Sequence, residues 1–155
     1  TAVIFNDLHA RLRANPWEMP GFDTTNTSPA YTYSQSWTNQ QSTITAVTSC
    51  ATTATADCSR QQRAQFDLWE LRTLARQTLP QGSLILGGDV NNGITLTVMW
   101  MDKDFVAGTP PALQTSTTCS STSTTTQRLS CCPSAASVGG TGTEGVRCAN
   151  FTFIP

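Results

Sequence analysis

The stretch from residue 59 to residue 105 constrains the fold most, because a helix, a break, a strand, a turn and a second strand follow one another there. Ser59 is followed three residues later by Gln62, which is the pattern of a capping box at a helix N-terminus. Pro80 disfavours helical backbone at the residue before it. The pattern therefore predicts one helix over 60–78.

This helix has one apolar side. Its apolar residues recur at steps of three and four, as expected of a helix that packs one face on a core. They are Ala64, Leu68, Leu71, Ala75 and Leu79, with Phe66 and Trp69 widening the face. Arg72 and Arg76 lie toward the C-terminus, where the helix dipole favours cations.

Three strands are predicted after the helix. Leu84–Leu86 forms a short apolar strand, and the Gly/Asn-rich residues 87–93 have the composition of a turn. From Ile94 to Trp100 apolar residues alternate, so this strand should have one buried face and one more polar face. A final strand over 146–154 places Phe151 and Phe153 on one face. The sequence predicts a small antiparallel sheet.

Length and charge limit the classes of function. The 155 residues correspond to a single domain over 1–155. Nine basic and ten acidic residues leave a net charge of −1, without the basic stripe of a nucleic-acid-binding protein. No run of eighteen apolar residues could span a membrane. We therefore expect no nucleic-acid partner and no membrane span within this sequence.

Six cysteines indicate disulfides and an extracytoplasmic compartment. They are Cys50, Cys58, Cys119, Cys131, Cys132 and Cys148. Their spacing lacks the close pairs of a zinc site, and no metal or cofactor is predicted. Proximity favours Cys50 with Cys58. Because a vicinal bond is strained, we expect one of Cys131 and Cys132 to pair with Cys148 and the other with Cys119. The Thr/Ser-rich segments 45–55 and 114–126 should then be ordered loops.

The chain opens with a predicted helix over 1–15. It has apolar residues at Ile4, Phe5, Leu8 and Leu12 but no N-cap and no initiating Met, so we expect the sequence to begin inside a longer helix. The four apolar residues form a seam that needs a partner, either the protein's own sheet or a neighbouring subunit. They are the candidate partner-binding residues.

The order of these motifs resembles the PilV-type minor pilins of bacterial type IV pili. The resemblance rests on an Arg-x-Arg-Ala-Asn segment, a cysteine-bearing connection, a helix with Asp and Trp that ends in Leu-Pro-x-Gly, and an alternating strand that ends in Trp. In this chain these are Arg11–Asn15, Cys50 with Cys58, Asp67 with Trp69, Leu79–Gly82 and Ile94–Trp100. They cover most of residues 5–105.

The resemblance implies an α+β fold of the type IV pilin-like class. Residues 1–15 would be the C-terminal part of the N-terminal helix, 16–82 the αβ connection with its second helix, and 83–155 the sheet with disulfide-closed loops. The prepilin cleavage site and the membrane-anchoring half of the first helix would precede the sequence. Such a protein would touch the membrane through that missing helix alone.

The resemblance also implies a non-catalytic function. Minor pilins of this type prime pilus assembly and form a tip complex with other minor pilins and a tip adhesin, in pili that serve adhesion and twitching motility. The protein would lie in the bacterial inner membrane and periplasm before assembly and in the extracellular pilus afterwards. A minor pseudopilin of type II secretion, which shares the fold, is the nearest alternative.

A secreted carbohydrate-binding module is the alternative from another class. Its contacts would come from Trp17, Tyr31, Tyr33 and Trp37, since Trp69 and Trp100 are expected in the core. The sequons that begin at Asn26 and Asn150 keep a eukaryotic secreted origin open.

An enzyme is the least favoured reading. Catalysis by a Ser-His-Asp or Cys-His arrangement would have to use His9, which is predicted on the opening helix and is interpreted as a surface residue. The run Asp89–Gly93 resembles a calcium loop but lacks the downstream Glu, so a hairpin turn is favoured. Asp102 and Asp104 could be an acid and a base, but they flank Lys103 in a predicted turn. We expect no catalytic residues.

Overall fold

Two helices on a three-stranded sheet form the frame of the protein in a computed structural model, which describes residues 1–51 and 57–155. The helices are α1 (Ala2–Ala14) and α3 (Arg60–Thr78). Part of the predicted ordered loop 45–55 lies outside the described residues. The class is α+β, as predicted.

Local hydrogen bonds fix both ends of α3. The Ser59 hydroxyl accepts from the Gln62 amide at 3.1 Å, and the Gln62 side chain accepts from the Ser59 amide at 2.9 Å. At the other end Leu79 is extended, and a Cβ at Gly82 would lie 1.9 Å from the carbonyl oxygen of Ala75. Since only glycine fits there, the chain can turn back beside the helix. The predicted helix and its capping box are confirmed.

The sheet is antiparallel, as predicted. Its strands are β1 (Ser83–Asp89), β2 (Gly93–Met101) and β5 (Val146–Phe153), in the order β1-β2-β5. The Asp89 carboxylate accepts from the backbone amides of Asn91 and Asn92, both at 2.8 Å, which holds the β1–β2 turn. The predicted hairpin is confirmed.

Helices α1 and α3 cover one face of the sheet. The buried residues of this helix-side core are Ile4, Leu8, Leu12, Met19, Tyr31, Ala64, Leu68, Leu71, Ala75, Leu84, Leu86, Ile94, Leu96 and Val98. Phe151 and Phe153 of β5 pack against it while half-buried, and so does Trp100. The apolar alternation of β2 therefore faces the helices.

The opposite face of the sheet is also covered, which corrects the expectation of a polar face on β2. Met99 and Thr97, on that face, are 0 % and 2 % exposed. The C-terminal segment lies across them. The buried residues of this loop-side core are Trp37, Ile85, Met99, Cys132, Ala136, Val138, Val146 and Cys148.

Residues 102–145, between β2 and β5, form the loop-side segment. It contains short elements and is cross-linked by disulfides. They are the hairpin of β3 (Val106–Ala107) and β4 (Ala112–Leu113), helix α4 (Thr125–Arg128) and a 3-10 turn at Ser134–Ala136. Cys119 pairs with Cys131 and Cys132 with Cys148, so one member of the vicinal pair joins each partner, as predicted. The predicted bond between Cys50 and Cys58 is also present.

Backbone and side-chain groups occupy the outer edge of β1. Tyr33 exchanges two backbone hydrogen bonds with Leu86, at 2.9 and 2.8 Å. The Gln40 amide, in helix α2 (Trp37–Gln40), donates to the Leu84 carbonyl at 2.9 Å and accepts from the Leu84 amide at 3.2 Å. One glutamine side chain thus takes the place of a strand residue, which reduces pairing with another chain at this edge.

Candidate interaction surfaces

The opening helix turns three of its four candidate partner-binding residues inward. Ile4 is 1 % exposed, and Leu8 and Leu12 are fully buried against the protein's own core. Of the two partners left open for the seam, the structure supplies the protein's own sheet and α3. These three residues are therefore corrected from interface candidates to core residues.

Phe5, the fourth candidate, is half-buried and also packs within the domain. Its ring lies 5.3 Å from that of Phe151 and 5.2 Å from that of Phe153. His9, on the same helix, contacts Phe153 edge-on at 5.3 Å and is half-buried rather than a fully exposed surface residue. These four rings pack α1 against β5. The His9 ring stacks on Phe5 and makes an edge-to-face contact with Phe153.

An ionic cluster joins α1 to α3 beside this core. The Arg11 guanidinium lies 3.1 Å from Asp7, 2.8 Å from Asp67 and against Glu70. The buried Tyr31 hydroxyl donates to the other oxygen of Asp67. Two helices and the connection therefore meet at Asp67.

The surroundings of this cluster raise the pKa values of both Arg11 and Tyr31. Burial lowers the pKa of Arg11, but the three carboxylates around it, Asp7, Glu70 and Asp67, together outweigh burial and raise that pKa. Burial and the hydrogen bond to Asp67 raise the pKa of the Tyr31 hydroxyl well above its usual range. Both groups keep their protons at ordinary pH, so their hydrogen bonds hold α1, α3 and the connection together.

Sequence reasoning missed this cluster, although it left one signal. Asp67 stands between Phe66 and Leu68 on the buried side of α3. A carboxylate at such a position needs a cation or donors nearby, because an unpaired buried charge is costly. The partner could not be assigned, since Arg11 lies fifty-six residues away in sequence.

The remaining catalytic or calcium candidates serve turns. Asp89 closes the β1–β2 hairpin, and its hydrogen bonds to Asn92 and Asn91 lower the pKa of its carboxyl. Asp102 accepts from Arg147 at 3.0 Å and from the Asp104 amide at 2.9 Å, and these bonds lower its pKa. Within 1–51 and 57–155, no group of three or more His, Cys, Asp or Glu residues is placed to hold a metal ion.

The aromatic residues proposed for a saccharide site divide into two groups. Tyr31 and Trp37 are 0 % and 3 % exposed, which removes them as surface contacts. Trp17 is 45 % exposed, with Phe22 against its ring and the Arg60 guanidinium 4.9 Å from its centre. Tyr33 is half-buried. Trp69 was expected in the core but is also half-buried and faces an open groove.

This α3 groove, of about 340 Å³, lies between the outer side of α3 and the connection. One wall comes from a stripe of α3 residues spaced as on a single helical face, and the other comes from residues of the connection that precede α3. Its lining residues are Ser28, Pro29, Ala30, Thr32, Tyr33, Val47, Gln61, Gln65, Leu68, Trp69 and Arg72.

Arg72 gives the groove its charge. Its guanidinium carbon lies 4.3 Å from the centre of the Tyr33 ring, and its Nε is buried without a hydrogen-bond partner. Burial lowers the pKa of Arg72, and the neighbouring cation Arg76 acts in the same direction. Among the described residues no carboxylate lies within ion-pair distance of it, in contrast to Arg11.

Within residues 1–51 and 57–155, no helix combines the length and the apolar character that a bilayer span requires. The comparisons with known proteins return no match: no family model, no curated protein and no solved structure is similar to this chain at a significant level.

Proposed function

We propose that this chain is the globular domain of a pilin-like assembly subunit, a minor pilin of the PilV type. The observation that carries the proposal is the position of α1. This helix opens the chain, buries Ile4, Leu8 and Leu12 on the sheet and leaves its opposite side in solvent. A pilin's N-terminal helix is expected to lie in this way, with one side on its own sheet and the other available to neighbouring subunits.

The proposed role is to prime assembly of a type IV pilus as part of a minor-pilin tip complex, without catalysis. Its partners would be other minor pilins and a tip adhesin. The protein would move from the inner membrane and periplasm to the extracellular pilus, where it would serve adhesion and twitching motility. The three disulfides support an oxidising compartment for this domain. A type II secretion pseudopilin would use the same surfaces in another filament.

Because Ile4, Leu8 and Leu12 are buried, the proposed contact surface is the outer, exposed stripe of α1. Val3, Asn6, Ala10 and Arg13 follow one another at helical spacing, and all four are exposed. Val3, which is 68 % exposed, gives this stripe an apolar side chain. Ala10, at the centre of the stripe, allows close approach of another helix.

The test is binding of the isolated domain to the domains of cognate minor pilins. We expect Ala10→Glu to weaken binding about tenfold or more, because a carboxylate would be desolvated in the helix contact. Gln77→Glu, an exposed change on α3, is the matched control and should bind as the native protein does. A native domain that binds no minor pilin, or an Ala10→Glu variant that binds normally, would contradict this surface.

The coding sequence upstream of Thr1 provides an independent test of membership. A pilin requires a Gly-Phe-x-x-x-Glu processing site followed by roughly twenty apolar residues, the length that spans a bilayer. A different upstream sequence would refute the pilin assignment even if the domain took part in another assembly.

A further inference from the structure

We propose that the α3 groove binds a carboxylate-bearing saccharide, with the carboxylate on Arg72 and a sugar ring on Trp69. The proposal does not depend on an assembly role. It rests on the placement of one cation supported by Tyr33, one indole supported by Phe66 and neutral polar side chains around a groove of about 340 Å³. Each of these features restricts the chemistry of the ligand.

The charge of the groove selects an anion. Arg72 is the charged residue among the described residues that line it, and none of these is Asp or Glu. The three carboxylates paired with Arg11 are not among the lining residues of the groove, and among the described residues no carboxylate is paired with Arg72. A guanidinium binds a carboxylate through two parallel hydrogen bonds, which favours a planar anion over a spherical one.

Both recognition groups are held in place from behind. The Tyr33 ring supports the Arg72 guanidinium at 4.3 Å. Phe66 is stacked on Trp69 with ring centres 5.6 Å apart and an angle of 22°. Trp69 and Arg72 are three residues apart on α3, so they are neighbours on the same helical face. This preorganisation reduces the entropy lost when a ligand binds.

The neutral polar residues suit hydroxyl groups. Gln61 and Gln65 can each donate and accept hydrogen bonds, as can the hydroxyls of Ser28 and Thr32. A sugar ring presents alternating hydroxyls and an apolar face, which matches amides and hydroxyls around an indole. Ligand sites usually run from about 300 to about 1,000 Å³, so this groove has room for one or two rings.

The experiment begins with the native protein on a glycan array. The array carries uronic-acid and sialic-acid glycans, each beside the same glycan with its carboxylate converted to the methyl ester. We expect binding to acidic glycans and loss of binding to their esters. The strongest acidic glycan is then titrated by NMR, where the Trp69 indole and the Arg72 side chain should show the largest shifts.

Variants assign the binding to the groove. Arg72→Gln should weaken binding of the acidic glycan about tenfold or more and abolish the preference over its ester. Arg63→Gln removes an exposed cation from the same helix outside the groove and should have no effect. The proposal is overturned if no acidic glycan binds, if the methyl esters bind equally well, or if Arg72→Gln and Arg63→Gln behave alike.

Discussion

The two faces of the sheet are covered in different ways. On the helix side, α1 and α3 supply apolar side chains at regular spacing, and neither helix contains a cysteine. On the loop side, the chain between β2 and β5 has short elements, and the core beneath it includes a disulfide from Cys132 of this chain to Cys148 of β5. One face depends on helical packing, whereas the other includes covalent bonds.

The difference shows when a protein needs cross-links. A long amphipathic helix buries enough apolar surface to offset the entropy lost on ordering. The loop-side segment is mostly Thr, Ser, Gly and Pro, and Ala136 and Val138 are among its few buried apolar side chains. Because these contacts alone offset little chain entropy, bonds that restrict the unfolded chain contribute more there.

The largest expected effect is on the helix side. Leu71 is 1 % exposed at the centre of α3, so Leu71→Ala leaves a cavity against the sheet. The free energy of unfolding should fall by about 2–5 kcal/mol, as measured by urea denaturation. Leu74→Ala, at a half-buried position on the same helix, is the control and should cost less. Equal losses would mean that the helix-side core is poorly packed.

Removing the bond of the loop-side core is the corresponding test on the other face. The double change Cys132→Ser with Cys148→Ser opens a loop of 16 residues. It should lower the free energy of unfolding by about 3 kcal/mol, mostly by freeing the unfolded chain. The matched control replaces Cys50 and Cys58, which close a loop of 8 residues, and should lose less. A loop-side loss below that of the control would contradict the comparison.

Asn150 fixes the loop side without a covalent bond. Its amide donates to the carbonyls of Arg128 at 2.8 Å and Cys131 at 2.7 Å, while its oxygen accepts from Thr97 at 2.6 Å. Asn150→Ala should therefore cost about 1–3 kcal/mol of stability, since several partners lose their hydrogen bonds. Asn6→Ala, on the exposed side of α1, should be nearly neutral in the same thermal or urea unfolding measurement.

The helix side and the loop side also differ in how much of their structure was predictable from the sequence. On the helix side, the capping box at Ser59, the apolar spacing of α3 and the alternation of β2 each reflect local rules, and the structure agrees with them. Cysteine spacing also predicted the bond between Cys50 and Cys58 and the separate partners of Cys131 and Cys132, but it left open which of these two pairs with Cys119 and which with Cys148. These signals require no knowledge of distant contacts.

Two kinds of feature were not predicted: a helix of only four residues, and features that depend on distant contacts. Helix α4 has its own capping box at Thr124 and Gln127 but is only four residues long, too short to show periodicity. Burial of Met99 and Trp37 arises from a segment that packs on them from elsewhere in the chain. The α3 groove is likewise formed by residues of two separate segments, so no local pattern revealed Arg72 as a candidate contact.

The smallest expected effect is electrostatic and also lies at the loop side, where Asp102 at the end of β2 pairs with Arg147 of β5. Hydrogen bonds from Arg147 and from the Asp104 amide lower the pKa of Asp102 below its ordinary value of 3.8. The folded protein thus binds this proton less readily than the unfolded chain. The stabilisation is present above about pH 4 and is lost as the pH falls through the lowered pKa.

Asp102→Asn should therefore reduce stability slightly at neutral pH, and its unfolding curve should approach that of the native protein in acid. Solvent reaches both side chains, so added salt should shrink the difference at neutral pH. Asp104→Asn changes a neighbouring carboxylate that makes no ion pair with Arg147, and it should show a weaker pH-dependent difference. Identical pH profiles for the native protein and Asp102→Asn would show that this ion pair contributes nothing, and that disulfides and packing hold β5 to the loop side without it.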